Sequence, residues 1–121
     1  GLVVSNTSGM RPQTLHSKYR QKVGGLSGAP LKQAALQTLR DMYRLTEAKI
    51  PLIGVGGIDS AQEAYNRIRA GASLIQLYTA LIYKGPGLIV EIKQELAALL
   101  KRDGFGSVAQ AVGTEPSSRY R

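Results

Sequence analysis

Two glycine-punctuated apolar runs, separated by one amphipathic segment, constrain this chain more than any other feature. They are Pro51-Leu-Ile-Gly-Val-Gly-Gly-Ile58 and Ala72-Ser-Leu-Ile-Gln-Leu-Tyr-Thr-Ala80. Each is a short continuous apolar stretch, the pattern of a strand buried on both faces of a parallel sheet. Each closes in small or hydroxylated residues, where a bulkier side chain would keep a ligand away from the backbone.

Around these runs the sequence reads as three β-then-α units. A first strand, Leu2 to Val4, ends at Ser5-Asn6-Thr7. A polar and basic stretch from Ser8 to Gly28 follows, long enough to be a binding loop or lid. Pro30 suits the first turn of a helix, where its missing N–H costs nothing. Ala35, Leu36, Leu39, Met42 and Tyr43 then keep helical spacing until Pro51. In the second unit Ser60-Ala-Gln-Glu63 is a capping-box pattern, and Ala61, Ala64, Tyr65 and Ile68 form an inward stripe that ends at Gly71. The third strand runs from about Ser73 to Tyr78, with a short helix from Ala80 to Tyr83. Past Gly85-Pro86-Gly87, a helix presents Leu88, Ile89, Ile92, Leu96, Leu99 and Leu100 on one face. Ser107 to Val112 reads as one more helical turn, and residues 114–121 as a polar tail.

Strands alternating with helical patterns indicate an α/β fold with a parallel sheet. In (β/α)8 barrels the loops after the last two strands, with the start of a short extra helix, commonly build a phosphate site. The two glycine-punctuated runs have that arrangement. A closed barrel needs roughly 250 residues, and this chain has 121, so it reads as a partial barrel. It starts at Gly1, directly in an apolar run and without an initiator Met, which reads as a cut segment. The domain expected over residues 1–113 is therefore the C-terminal three βα units of such a barrel.

Sixteen Lys and Arg against eight Asp and Glu give a formal charge of +8. Nucleic acid, an anionic membrane or a phosphorylated ligand could each account for that balance. The basic residues are scattered: Arg11, Lys18, Arg20 and Lys22 in one loop, others on helix faces, Arg119 and Arg121 in the tail. Aromatics are few and do not alternate with them, which argues against nucleic acid. Solvated helix faces and local charge around an anionic site account for the excess. No cysteine is present, so disulfides and thiolate chemistry are excluded. No stretch approaches the length of a membrane-spanning helix. His16 is the lone histidine, and nothing around it has metal-ligand spacing.

Several strand ends carry candidate chemistry, each with a plainer reading beside it. Gly54, Gly56 and Gly57 serve a tight βα turn, or let backbone N–H groups approach phosphate oxygens. The hydroxyl of Thr79 and the N–H groups leading into Ala80 would face the same anion. Ser5-Asn6-Thr7 starts a turn, or sets three hydrogen-bonding side chains at the strand edge where barrel sites form. Gly24-Gly-Leu-Ser-Gly28 is a hinge or a set of amides for an anion. Tyr78 packs under the short helix or offers its hydroxyl to a ligand. No Ser-His-Asp set, paired catalytic carboxylates or P-loop is present.

The motifs Ser5-Asn6-Thr7, Gly24-Gly-Leu-Ser-Gly28, Ile53-Gly-Val-Gly-Gly57 and Arg69-Ala-Gly-Ala-Ser73 occur in that order. Leu77-Tyr-Thr-Ala-Leu81, Gly85-Pro86 and Gly104-Phe-Gly-Ser-Val108 follow. Up to about Gly113 the chain resembles the C-terminal third of class 2, quinone-dependent dihydroorotate dehydrogenases. The resemblance implies a (β/α)8 barrel holding FMN, of which this chain carries the last three units. It implies oxidation of dihydroorotate to orotate in pyrimidine biosynthesis, with electrons passed through FMN to a membrane quinone. Ser5, Ser27, Gly28, Gly57, Leu77, Tyr78 and Thr79 match FMN-contacting positions, and Gly56 belongs to the same loop. Asn6 and Thr7 match residues that hold the pyrimidine, and Tyr78 also matches a position on the quinone approach. The family's serine base, a flavin-contacting lysine and a membrane-facing helical pair lie upstream and match nothing here, so no catalytic residue is expected in this chain. The implied location is peripheral on a membrane: the cytoplasmic side of the inner membrane in a bacterium, the mitochondrial inner membrane in a eukaryote. Ile82 falls where relatives vary near the quinone tunnel, which leaves the quinone open.

Two other functions compete. A phosphosugar isomerase or synthase barrel shares the phosphate site but does not require the Ser-Asn-Thr strand end. A basic module for nucleic acid or acidic lipid would bind without flavin and with strong salt dependence.

Overall fold

A computed structural model describes residues 1–116. Residues 117–121, including Arg119 and Arg121 of the expected tail, lie outside the described part. The three strands are β1 (Leu2–Val4), β2 (Leu52–Gly54) and β3 (Ala72–Ile75). They form one parallel sheet in the order β1-β2-β3. Between them run α1 (Lys32–Leu45), entered through a 3₁₀ turn at Ala29–Leu31, and α2 (Ala61–Arg69). After β3 come α3 (Thr79–Lys84), α4 (Gly87–Arg102) and α5 (Val108–Ala111).

Two of the helices start at serine caps. The Ser60 hydroxyl accepts from the Glu63 N–H at 3.3 Å to open α2, and the Ser107 hydroxyl accepts from Gln110 N–H at 3.4 Å to open α5. Pro30 sits inside the 3₁₀ turn that leads into α1. β3 is shorter than expected. It stops at Ile75: Gln76 still donates its N–H to Gly54 O at 2.9 Å, and Leu77 and Tyr78 belong to the loop; a register irregularity between Leu52 and Ile53 skips Ser73.

The sheet is not buried on both faces among the described residues. Val4, Leu52 and Ala72 face the helices and are buried with Leu36, Leu39 and Ala70. Val3, Ile53 and Leu74 share one register row on the other face. There Val3 is 54% and Leu74 62% exposed. The apolar run is continuous because both faces carry apolar side chains, but only the helix face finds partners here. Ile89, expected on the inner face of α4, is likewise exposed, while Leu88, Ile92 and Leu100 are buried.

Two further clusters continue the core. Ile58 and Ala64 pack with Leu88 and Ile92, and Tyr65 and Ile68 pack with Leu100 and Ala111. Ile75 touches all three clusters, which locks the sheet, α2 and α4 into one unit. Full burial of a side chain such as Leu39 or Leu52 contributes about 1.5–3 kcal/mol. The chain beyond α5 folds back: Glu115 N–H donates to Arg69 O at 3.0 Å, Arg69 Nη2 donates to Thr114 O at 2.8 Å, and Arg40 pairs with Glu115.

Candidate functional site

All three strands point their C-terminal ends at one open cleft of about 1020 Å³. Its walls come from three separated stretches: Ser5, Asn6 and Thr7 after β1; Gly56 and Gly57 after β2; Leu77, Tyr78 and Thr79 after β3. Ser27 and Gly28, just ahead of the 3₁₀ turn, close a fourth side. Parallel pairing brings these stretches together, because in-register strands deliver their ends to the same edge.

Local geometry fixes each wall. Ser5 has a φ of 82°, in the left-handed region that a serine seldom adopts. Its Oγ donates to Val55 O at 3.2 Å, tying the end of β1 to the end of β2. Asn6 Oδ1 accepts the Thr7 N–H at 2.7 Å, and both residues are exposed. Ser8 and Leu26 exchange backbone hydrogen bonds of 3.0 and 2.7 Å, so the Gly24–Gly28 segment is zipped alongside the Ser5–Thr7 wall. Thr7 fills the space over Gly25, where a Cβ would lie 1.9 Å from its Oγ1.

On the opposite wall Thr79 Oγ1 donates to Ser27 Oγ at 3.0 Å, and a Cβ on Gly28 would meet Thr79 Cγ2 at 3.0 Å. These contacts join the β3 end to the loop before α1. Gly56 and Gly57 have φ values of 98° and 72°, so the turn between β2 and α2 runs through the left-handed region twice. Tyr78 does not pack beneath α3. It is 76% exposed at the rim, near the exposed Ile82 and Tyr83.

The long basic stretch is more ordered than its composition suggests. Arg11 Nε donates to Arg20 O at 2.8 Å. Its Nη1 reaches Ser8 O and Met10 O, and its Nη2 reaches Lys22 O and Gly24 O. One guanidinium thus gathers five carbonyls. The ammonium groups of Lys18 and Lys22 lie over the Tyr19 ring, 4.9 and 4.7 Å from its centre. Beside the cleft, Asp59 accepts from Lys32 Nζ at 2.8 Å, and its backbone carbonyl accepts from Lys84 Nζ at 2.7 Å. No cluster of metal-ligating side chains occurs among the described residues.

Two features escaped the sequence reading. Gly54 does not face the cleft: a Cβ there would meet Ala72 Cβ at 3.2 Å and Arg67 Cβ at 3.3 Å. Arg67 is not on a solvated face but fully buried, with Nη2 donating to Gly56 O at 2.9 Å and Lys32 O at 2.8 Å. The available signal was its position, three residues after the buried Ala64 and beside Ile68, at the edge of the inward stripe. Burial pushes its pKa down, the Glu63 carboxylate pulls it up, and Arg40 pushes it down further.

The profile of the Dihydroorotate dehydrogenase family matches residues 1–100. The chain belongs to that family. It is 55% identical over 115 residues to the dihydroorotate dehydrogenase (quinone) of Rhodospirillum rubrum, covering 95% of this chain and 31% of that protein. The mitochondrial dihydroorotate dehydrogenase (quinone) of Mus musculus is 50% identical over 115 residues, again with 95% of this chain and 29% of the relative. The crystal structure of ligand-free DHODH from Eimeria tenella superimposes with a TM-score of 0.91 at 42% identity, over 96% of this chain and 33% of that one. The chain therefore spans about a third of the length of these relatives. Family membership favours the flavoenzyme resemblance over the phosphosugar and nucleic-acid alternatives.

Proposed function

We propose that residues 1–113 are the C-terminal three βα units of a (β/α)8 barrel in a quinone-dependent dihydroorotate dehydrogenase, with residues 114–121 as its C-terminal tail. The complete protein oxidises dihydroorotate to orotate in pyrimidine biosynthesis and passes the electrons through FMN to a membrane quinone. The observation that carries this reading is convergence: Ser5–Thr7, Ser27–Gly28, Gly56–Gly57 and Leu77–Thr79, four segments far apart in sequence, line one cleft.

The lining suits FMN. The cleft is at the upper end of the ~300–1,000 Å³ usual for ligand sites, and the elongate flavin needs apolar walls with polar ends. One end offers the left-handed Gly56–Gly57 turn with the Thr79 and Ser27 hydroxyls, neutral donors appropriate to a phosphate. In this reading Ser5, Ser27, Gly28, Gly56, Gly57, Leu77, Tyr78 and Thr79 hold the flavin, and Asn6 and Thr7 hold the pyrimidine. Bound FMN supplies the two-electron acceptor for the substrate's hydride. This chain's own side chains bind and orient: Asn6 and Thr7 offer an amide and a hydroxyl to a planar ring, and Ser5 fixes the spacing between two walls. The general base belongs to the part of the enzyme outside this chain. Tyr78, exposed at the rim, lies on the quinone approach.

Among the described residues no helix is long and apolar enough to cross a membrane. Membrane contact is assigned to the upstream segment of the complete enzyme, at the bacterial inner membrane on its cytoplasmic side or at the mitochondrial inner membrane. The test is purification of the full-length protein. It should carry a yellow chromophore and form orotate with a quinone acceptor. A colourless protein that does not take up FMN would overturn the reading.

A further inference from the structure

Arg67 has no carboxylate within ion-pair distance among the described residues, although its side chain is wholly out of solvent. Its stem passes over Gly54, whose missing side chain leaves the room. A Cβ there would stand 3.3 Å from Arg67 Cβ and 3.6 Å from Cγ. Beyond Gly54 the guanidinium reaches two neutral acceptors through one nitrogen, Gly56 O at 2.9 Å and Lys32 O at 2.8 Å. Its Nε and Nη1 have no hydrogen-bond partner among the described residues. A buried cation with two carbonyl acceptors and unused donors is only partly compensated for its lost hydration. A residue serving packing alone would be better replaced by an apolar one.

The position of those acceptors gives the cation a use. Gly56 and Gly57 form the turn that lines the cleft, and Lys32 is the first residue of α1, against which Gly57 packs. All described peptides are trans, and in a trans peptide the carbonyl and the following N–H point in opposite directions. Holding Gly56 O toward Arg67 therefore turns the Gly57 N–H away from Arg67.

We propose that Arg67 is the positioning residue of the anion-binding turn, pulling the Gly56 carbonyl to the α2 side so that the Gly57 amide is presented to a phosphate in the cleft. The proposal rests on the flavin-site reading given above. Arg67 touches no ligand. It sets the turn through Gly56 and its distance from α1 through Lys32, and its charge, only partly offset by the Glu63 carboxylate, adds a long-range attraction for an anion.

The test compares FMN with riboflavin, the same ring system without the phosphate, by fluorescence titration into the full-length apoprotein. The variants are Arg67→Met, Arg67→Gln and Arg67→Lys, with circular dichroism for folding. The parent should prefer FMN. In folded neutral variants FMN affinity should fall roughly tenfold or more, the scale of one charge-assisted contact, while riboflavin affinity stays within about twofold of the parent. Arg67→Lys should recover part of the preference. Arg67→Gln keeps a donor without the charge and carries the comparison if Arg67→Met does not fold. Equal loss of both flavins, or an FMN preference unchanged in a folded neutral variant, would reduce Arg67 to a structural tie and overturn the proposal. A parent that binds both flavins alike would instead show that no phosphate is held here, and the site reading would fail along with it.

Discussion

Replacing Gly57 with alanine tests the turn on which the site reading depends. Its φ of 72° is one that an L-residue adopts at a cost of about 1–2 kcal/mol. The added Cβ would also fall 2.7 Å from Lys32 Cγ, 2.9 Å from Lys32 N and 3.0 Å from Gly28 O. The lysine stem can swing aside, but the two backbone atoms can move only if the start of α1 and the Ser27–Gly28 wall move too. Overpacking of that kind costs about 1–3 kcal/mol. The sum, about 2–5 kcal/mol, acts on the turn, α1 and the Ser27 wall together, so stability and flavin binding should fall in the same variant. Thermal unfolding of the full-length apoprotein and FMN titration measure the two effects. Gly87→Ala is the matched control. Nothing lies within 4 Å of its Cβ position, and it begins α4, where alanine should be neutral or stabilising by about 0.5–1 kcal/mol. Should Gly57→Ala unfold at the parent's temperature and bind FMN as tightly, the left-handed turn and the crowding inferred from it are both wrong.

Asp103 should set part of the acid limit. Hydrogen bonds from Arg102, and then from the Tyr65 hydroxyl at 2.6 Å, hold its carboxyl down at about 2 against an ordinary 3.8, and burial opposes them. Because the folded value lies below the unfolded one, this stabilisation is complete above about pH 4 and disappears as pH falls through about 2. Asp103→Asn should flatten the loss of urea resistance between those pH values, and parallel acid profiles for variant and parent would refute the assignment. The 121-residue chain on its own should bind an apolar dye or self-associate, because Val3, Leu74, Ile82 and Tyr83 are exposed. With added FMN it should form no orotate above a blank, because the proposed function puts the general base outside this chain. A cooperative monomeric transition without dye binding, or measurable turnover, would contradict these two expectations.

The periodic parts of the fold were legible because periodicity reflects burial along a single element. The stripe Ala61, Ala64, Tyr65 and Ile68 is buried as its spacing implies, and Ser60 caps the helix it precedes. Burial on both sheet faces was not legible in Val3 and Leu74. An apolar side chain carries no record of whether its partners lie within the same 121 residues. Ile89 failed for a related reason: it flanks Leu88 and Ile92 on α4, yet no described element covers that side. The end of β3 at Ile75 was not legible either, because Leu77 and Tyr78 continue the apolar run in sequence while the strand does not.

The site was legible as a set of strand ends but not as a supporting structure. Spacing alone could not distinguish glycines that face the cleft from those that face the core, and the triplet Gly54, Gly56 and Gly57 contains both. Gly54 is small because Arg67 and Ala72 occupy its helix side, while Gly56 and Gly57 are small because the backbone turns left-handed and crowds Ala35 and Lys32. The same glycine run therefore does two jobs at one strand end. Gly54 admits the cation, the cation fixes the Gly56 carbonyl, and the carbonyl sets the direction of the next amide. Reading Arg67 as one more solvated charge hid that chain of dependence. The buried cation became visible only once its stem was seen to cross Gly54.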